Sequence, residues 1–277
     1  MSQRKAVYAD HHATSPLRPE ALEAMLPWLT GFAANPSSIH GPGRAARRAV
    51  EEARERVAAA LAASPDEVVF TSGGTESDTL ALRGGARAAR ERDPARGRVV
   101  FSAAEHAAVR EAGRSLAGEG FEPVEVAVDE RGLPRLESLA AALDLRTALL
   151  SLILANNETG VVNRSLPEAA AAARAAGALV HTDAVQAVGR IPVRPRALGE
   201  DDGAEALDAG VNLVVDDDVV VFRDGAHLLA GHVEAAPNLL LGVFPAAPQP
   251  RFEGRRRRRQ QEHEHRRPAA APHLPRA

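Results

Sequence analysis

Apolar residues recur along this chain in two alternating patterns, one with the period of a helix and one typical of a covered strand. The first helical pattern follows Pro19, a residue that the first turn of a helix tolerates. Its apolar positions fall on one face of the expected helix: Leu22, Met25, Leu26 and Leu29. The clearest strand pattern is the nearly continuous apolar run over residues 147–155, which is expected of a strand covered on both faces.

This alternation continues to about residue 187 and predicts an α/β fold, a mostly parallel sheet with flanking helices. The predicted helices after the first span residues 42–63, 75–92, 106–117, 136–143 and 166–176. The predicted strands span residues 68–71, 98–102, 123–128, 147–155 and 178–182. In such sheets ligands bind at the carboxyl ends of the strands, so polar residues at those ends are the candidates for function.

The pattern changes near residue 199. Residues 211–222 predict two short strands, although three adjacent aspartates between them disfavour burial. The last residues are rich in proline and arginine and are expected to be disordered. We therefore divide the chain into an N-terminal segment over 1–17, an incomplete large domain over 18–199, a divergent segment over 200–244 and a tail over 245–277.

The composition excludes several classes of function. The chain has 277 residues and a net charge of −3, so as a whole it is not attracted to nucleic acid or to anionic membranes. A run of five arginines over residues 255–259 has no folded binding motif around it and is interpreted as part of a solvated tail. Residues 1–15 show no secretory signal and no long apolar stretch follows, so a cytoplasmic protein without a membrane segment is expected.

Two residue types that matter for chemistry are scarce. The sequence contains no cysteine, which excludes a disulfide, a thiolate metal site and a thiol nucleophile. It contains one lysine, Lys5, which precedes the first predicted strand.

Polar clusters lie at the ends of predicted strands. Residues 71–78, TSGGTESD, stand between a strand and a helix, where glycines let backbone amides approach an anion and the helix N-terminus adds partial positive charge. A plain glycine turn is the structural alternative there, and a capping histidine is the alternative for residues 102–106, SAAEH. Residues 155–160, ANNETG, favour a turn in any case.

A further cluster, HTDAVQ over residues 181–186, places Asp183 at the end of a buried strand. A buried aspartate needs a cationic or hydrogen-bond-donating partner to stay ionised, and a pyridinium nitrogen would serve. Together the clusters offer an anion cradle, an imidazole, an amide and an aspartate. Pyridoxal phosphate requires this combination, because its protonated ring is an electron sink.

Several segments together resemble the cysteine desulfurases of the class V aminotransferase superfamily. They read YADHHAT from residue 8, NPSSIHG from 35, FTSGGTESD from 70, EH from 105, ANNETG from 155 and HTDAVQAVG from 181. The resemblance runs from about residue 7 to residue 199. It implies the large domain of a fold-type I transferase dependent on pyridoxal 5′-phosphate, a small C-terminal domain that is largely missing, and a homodimer.

The family converts L-cysteine to L-alanine and passes the sulfur to an enzyme cysteine as a persulfide, for iron–sulfur clusters or thionucleosides. The resemblance thus implies L-cysteine or a similar amino acid as substrate, and sulfur-acceptor or scaffold proteins as partners. By matching position it assigns the phosphate to Gly74 and Thr75, ring stacking and proton transfer to His106, a place beside the cofactor to Asn157, the ring nitrogen to Asp183 and the phenolic oxygen to Gln186. No metal site is expected: adjacent residues on an extended strand, such as His11 and His12, point to opposite faces.

After residue 199 the resemblance ends. The family continues with a strand leading to Ser-x-His-Lys, whose lysine attaches the cofactor, whereas residues 200–208 here read EDDGAEALD. The sulfur-accepting cysteine is absent too. The chain is therefore expected to be impaired or inactive, without covalent attachment of the cofactor at the family position.

Two alternative functions stay open. The chain is a non-catalytic protein that binds the cofactor or pairs with an intact paralogue, or it is a selenocysteine lyase or another class V relative. The abrupt change at residue 199 favours a shifted reading frame or a fusion over gradual drift, and the nucleotide sequence would separate these origins.

Overall fold

In the part of the chain that the structure describes, seven strands form a single sheet in the order β1-β7-β6-β5-β4-β2-β3. The computed structural model describes residues 7–31, 34–193, 211–215 and 219–221, all within the unit Met1–Pro245. The strands are β1 (Val68–Phe70), β2 (Arg98–Ser102), β3 (Glu122–Val126), β4 (Thr147–Ser151), β5 (Leu179–Asp183), β6 (Val211–Val215) and β7 (Val219–Val221). β2 to β6 are parallel, and β7 is antiparallel to both β6 and β1. The prediction of an α/β fold with a mostly parallel sheet is confirmed.

Helices connect the parallel strands, as a parallel sheet requires. They are α1 (Pro19–Thr30), α2 (Gly41–Ala60), α3 (Gly74–Arg92), α4 (Ala107–Ser115), α5 (Leu136–Ala142) and α6 (Leu166–Ala175), with 3-10 turns at Pro65–Glu67 and Leu116–Glu119. Each predicted helix is present close to its expected bounds.

The predicted strand over residues 147–155 is shorter in the structure, because β4 ends at Ser151. The N–H groups of Leu152 and Leu154 still donate to the carbonyls of His181 and Asp183, at 3.1 and 2.9 Å. The chain therefore stays buried and continues beside β5 after the regular strand has ended.

Helices cover both faces of the sheet and give it two hydrophobic cores. α2, α5 and α6 pack on one face, to which Val100 and Leu150 contribute from the strands. α3 and α4 pack on the other face with Val99, Phe101 and Leu149. Consecutive strand residues point to opposite faces, so each central strand supplies both cores. This is why the sequences of these strands are continuously apolar.

α1 has the apolar stripe that its sequence predicts, but none of its residues is buried. Leu22 and Leu26 are each 43% exposed, and Leu29 is 65% exposed. The sheet and its other helices therefore leave an apolar helix face in contact with solvent.

The last two strands of the sheet come from residues beyond 199. The prediction of two short strands over residues 211–222 is confirmed for the backbone. β6 pairs with β5, and β7 joins β6 to β1. The predicted tail over residues 245–277 and most of the divergent segment over 200–244 lie outside the described residues. None of the helices in the described ranges has the length and apolar character needed to cross a bilayer.

Replacing Gly113 by alanine should destabilise the fold. A Cβ atom at Gly113 in α4 would lie 2.6 Å from Cε1 of Phe101, a ring that is only 1% exposed. Overpacking of this kind costs about 1–3 kcal/mol, more than the gain of about 1 kcal/mol from the better helix propensity of alanine. Urea unfolding should therefore show a lower free energy of unfolding for Gly113→Ala.

Gly118→Ala is the matched control, because a Cβ atom at Gly118 would have no neighbour within 4 Å. It should unfold at a urea concentration close to that of the wild type. Equal stability of Gly113→Ala and the wild type would contradict the packing described here.

Candidate functional site

A cavity of about 620 Å³ opens at the carboxyl edge of the sheet. It is lined by His12, Ala13, Ser72, Gly73, Gly74, Thr75, Glu76, Asp78, His106, Ile153, Asn157, Asp183, Val185 and Gln186. All the residues that the sequence assigned to a cofactor are in this set. Parallel strands end at the same edge of a sheet, which brings these sequence-distant segments together.

Gly74 and Thr75 form the first turn of α3, whose N-cap residue, Gly73, has no side chain to cap it. The first N–H groups of a helix have no intrahelical acceptor, and the helix dipole places partial positive charge there. Glu76 is turned toward Ser72, whose N–H donates to its carboxylate at 2.6 Å, and the hydrogen bonds from Ser72 lower the pKa of Glu76. The turn is therefore able to bind an anion such as a phosphate.

His106 caps α4 and also lines the cavity. Its Nδ1 accepts a hydrogen bond from the N–H of Ala108 at 3.2 Å. When Nδ1 accepts, the proton of a neutral imidazole is on Nε2. His106 therefore caps a helix, as the structural alternative predicted, and also faces the cavity.

The loop after β4 is held by Asn156 rather than by Asn157. The Asn156 amide donates to the carbonyl of Ala104 at 2.9 Å, and its Oδ1 accepts from the N–H groups of Glu158 and Thr159. Asn157 lines the cavity, and among the described residues its amide donates only to the exposed Glu158, at 3.1 Å. Asn156 therefore fixes the loop that presents Asn157.

Asp183 ends β5 at the floor of the cavity and is 6% exposed. Its Oδ1 accepts a hydrogen bond from the N–H of Val185 at 3.0 Å. Gln186 donates its amide to the carbonyl of His12 at 2.9 Å, and its Oε1 is buried without a hydrogen-bond partner among the described residues. A ligand hydroxyl would complete the hydrogen bonding of that oxygen.

The expectation that His11 and His12 lie on an extended strand is wrong, because residues 11–13 form a turn. The turn brings His12 into the cavity wall. The described residues contain no group of three or more His, Cys, Asp or Glu side chains that could hold a metal ion.

The residues present fit pyridoxal phosphate. The described lining of the cavity contains carboxyl groups but no lysine or arginine. A protonated ring nitrogen would supply positive charge near Asp183, and the first turn of α3 would bind the phosphate. Oε1 of Gln186 would accept a hydrogen bond from the ring hydroxyl.

A buried polar group that the sequence reasoning missed lies beneath the cavity: Asp78, Glu105, Ser151 and His181. His181 was identifiable from its position two residues before Asp183, which places both side chains on one face of β5. Asp78 was identifiable from its position one helical turn after Gly74.

Burial governs the protonation of this group. It raises the pKa of Asp78 to about 9, with further contributions from Asp183 and Glu105. It raises the pKa of Glu105 to about 8. It lowers the pKa of His181 to about 3, so this imidazole is neutral.

Comparisons with known proteins agree on the family. The family model described as aminotransferase class-V matches residues 7–202. The chain is 49% identical over 189 residues to a cysteine desulfurase of Cereibacter sphaeroides, covering 68% of this chain and 48% of that protein. It is 43% identical over 198 residues to cysteine desulfurase IscS of Dictyoglomus turgidum, and the match covers 72% of this chain and 49% of that protein.

A solved NifS-like protein superposes with a TM-score of 0.67 at 31% identity, covering 78% of this chain and 59% of that chain. The chain thus spans about half the length of the curated relatives it matches.

The buried carboxyl groups predict that the free energy of unfolding falls as the pH rises from 6.5 to 8. Asp78 and Glu105 have raised pKa values, so each stabilises the folded chain fully below its unfolded pKa, 3.8 for Asp78 and 4.5 for Glu105. This stabilisation is lost as the pH rises through the folded pKa, about 9 for Asp78 and about 8 for Glu105. The lowered pKa of His181 makes the folded chain less stable as the pH falls below 6.5, so it has no effect on stability between pH 6.5 and 8. Each carboxyl group should contribute a slope of up to about 1.4 kcal/mol per pH unit.

Urea unfolding of Glu105→Gln across this pH range should show a shallower decline, because one of the titrating groups has been removed. Asp66→Asn, which alters an exposed carboxyl group, is the control and should keep the wild-type slope. An unchanged slope in Glu105→Gln would show that Glu105 is ionised in the folded chain at these pH values.

Proposed function

Because this chain belongs to the class-V aminotransferase family, we propose that it is a cysteine-desulfurase-like protein that holds pyridoxal phosphate without a covalent bond. Its turnover of cysteine is impaired or absent. One observation carries the proposal: a cavity lined by every residue expected to bind the cofactor belongs to a sequence whose single lysine is Lys5.

Each proposed role follows from the chemistry of the side chain. The first turn of α3, with Gly74 and Thr75, binds the phosphate, and Asp183 pairs with the ring nitrogen and keeps it protonated. Bound in this way, pyridoxal phosphate supplies an electron sink for a carbanion. Oε1 of Gln186 accepts a hydrogen bond from the ring hydroxyl.

The remaining roles are those of His106 and Asn157. His106 lies against the ring and presents the proton on Nε2, because its Nδ1 is engaged by the N–H of Ala108. Asn157 contacts the cofactor from the loop that Asn156 fixes.

The groups that would carry the chemistry further are absent. The family's lysine follows a strand, and the strand after residue 199 in this chain is β6, which pairs Val214 with Asp183. The next residues in sequence are Asp216, Asp217 and Asp218, which cannot form a bond to the cofactor aldehyde as an amine does. The sequence also has no cysteine to accept sulfur.

The purified chain should bind pyridoxal phosphate reversibly. Dialysis should remove the cofactor, and borohydride treatment should leave no cofactor attached to the cavity segments when the chain is analysed by mass spectrometry. Lys5→Arg removes the only side-chain amine and should bind with unchanged affinity. Asp183→Asn should weaken binding at least about tenfold, because a buried charge pair loses one partner, while Asp66→Asn should not.

Alanine formation from L-cysteine should not exceed the rate seen with free pyridoxal phosphate. A rate well above that background would refute the proposed impairment. Failure of the wild-type chain to bind the cofactor would refute the proposed function as a whole.

The exposed face of α1 favours a second candidate role, pairing with a second copy of this chain or with an intact paralogue. Leu29 is 65% exposed, and Leu22 and Leu26 share its face at 43% each. A contiguous apolar face on a helix is stabilised when a partner removes it from water. Pairing through α1 would do so.

Leu29→Glu should therefore reduce self-association, measured by sedimentation equilibrium, because a charge would have to be buried in the contact. Leu145→Glu is the matched control: Leu145 is 75% exposed and lies outside α1. If both variants associate as the wild type does, α1 is not the contact.

A further inference from the structure

Four buried polar side chains are joined in a row beneath the cavity, on the α3 side of the sheet. Asp78 comes from α3, His181 from β5, Ser151 from β4 and Glu105 from the loop after β2. Oδ1 of Asp78 is 3.6 Å from Nε2 of His181, and Nδ1 of His181 is 2.8 Å from Oγ of Ser151. Oγ of Ser151 is 3.2 Å from Oε2 of Glu105.

We propose that these side chains form a buried proton relay, which holds one exchangeable proton between its two carboxyl groups and responds to positive charge placed beside Asp183.

The first argument is the absence of a compensating cation. Within the described part of the chain, no arginine or lysine contributes to the protonation of Asp78 or Glu105, and no metal-binding group is present. Two carboxylates buried together without a cation are unfavourable, so one of them keeps a proton. Glu105 gives up its proton as the pH rises through about 8 and Asp78 keeps its proton until about 9, so between these values the relay carries a single negative charge.

The second argument is the hydrogen-bonding requirement of the facing atoms. Oδ1 of Asp78 and Nε2 of His181 are both buried, and neither has a hydrogen-bond partner among the described residues. A proton on either atom would form a hydrogen bond between them after a small side-chain movement, and both atoms would then have a partner. Because Asp78 also lines the cavity, this end of the relay is the one that a ligand can influence.

The third argument is that Ser151 has one proton and therefore fixes the direction of the row. If Glu105 is ionised, Ser151 donates to it and accepts from Nδ1 of His181. Nε2 of His181 then accepts a proton from Asp78. If Glu105 is protonated instead, every hydrogen bond reverses, and Nε2–H of His181 donates to an ionised Asp78.

The contacts select the first arrangement in the absence of a ligand. The N–H of Ile153 donates to Glu105 at 2.7 Å and stabilises a charge there. The nearby carboxyl group of Asp183 opposes a charge on either group, but of the two only Glu105 receives hydrogen bonds from described residues that lower its pKa. His181 is therefore neutral and protonated on Nδ1.

Positive charge beside Asp183 reverses the order. The proton leaves Oδ1 of Asp78 for Nε2 of His181, Nδ1–H passes its proton to Ser151, and the hydroxyl proton of Ser151 passes to Glu105. Each proton moves one position, and the negative charge passes from Glu105 to Asp78 without any oxidation or reduction. This step rests on the proposed function, since the cation is the ring of pyridoxal phosphate.

Nitrogen-15 NMR of the histidine-labelled chain tests the relay. The signals of His181 are assigned by their loss in His181→Gln. At about pH 8.5 without cofactor, where the two carboxyl groups of the relay hold one proton between them, we expect Nδ1 protonated and Nε2 unprotonated. A wild-type His181 that is protonated on Nε2, or on both nitrogens, overturns the proposal.

Glu105→Gln should invert this tautomer. Its amide oxygen accepts from Ile153, so its NH₂ group faces Ser151, which then donates to His181 and leaves the proton on Nε2. The same substitution in a Ser151→Ala background should not invert the tautomer, because the row is interrupted. The exposed control Asp66→Asn should leave the His181 signals unchanged. Retention of the Nδ1–H form in a folded Glu105→Gln contradicts the relay.

Addition of pyridoxal phosphate separates this inference from the proposed function. Once fluorescence quenching shows that the cofactor is bound, His181 should shift toward the Nε2–H form, and Asp78→Asn should block the shift. Binding without any change at His181 overturns the response to charge. Failure of binding refutes the proposed function, while the tautomer of the unliganded chain still decides whether the relay exists.

Discussion

Asp78, Glu105 and Asp183 are buried close together at the carboxyl edge of the sheet, and burial of carboxyl groups is the constraint on which the site depends. A low-dielectric interior raises the energy of each carboxylate, and the neighbouring carboxylates raise it further. Backbone N–H groups from Ile153 and Val185 offset part of this energy. Protons held by the group offset the rest, and a cationic ligand in the cavity would do the same.

The parallel sheet brings the polar strand ends together, and its apolar strands allow those ends to be located from the sequence. Helices on both faces produce the continuous apolar strands, and the crossover connections bring every polar strand end to one edge. The six residues expected to bind a cofactor were therefore predictable as a group, and the structure places them around one cavity. What the sequence could not provide is how α3 packs against β5, because the contact of Asp78 with His181 depends on helix position rather than on spacing.

Contacts between distant segments could not be predicted from the sequence either, because they depend on how the elements pack. Gln186 donates to the carbonyl of His12, 174 residues away, through a turn that was expected to be a strand. The solvent exposure of α1 was also not readable, since an apolar stripe indicates a face that packs but not whether this chain provides the surface that covers it. The family match ends at residue 202, so it covers the segments that line the cavity and stops before β6 and β7.

The strand order has a consequence for how the chain acquires its structure during synthesis. β1 is an early strand, yet among the described strands its only partner is β7, with Val68 opposite Val221. On the ribosome β1 must wait until residue 221 has emerged, while β2 to β5 are already able to associate. The central strands can thus assemble before β1 joins the sheet. α3 follows β1 directly, so the segment before α3 is fixed in the sheet only when β1 pairs with β7. Premature release of the chain would leave β1 as an exposed edge prone to aggregation.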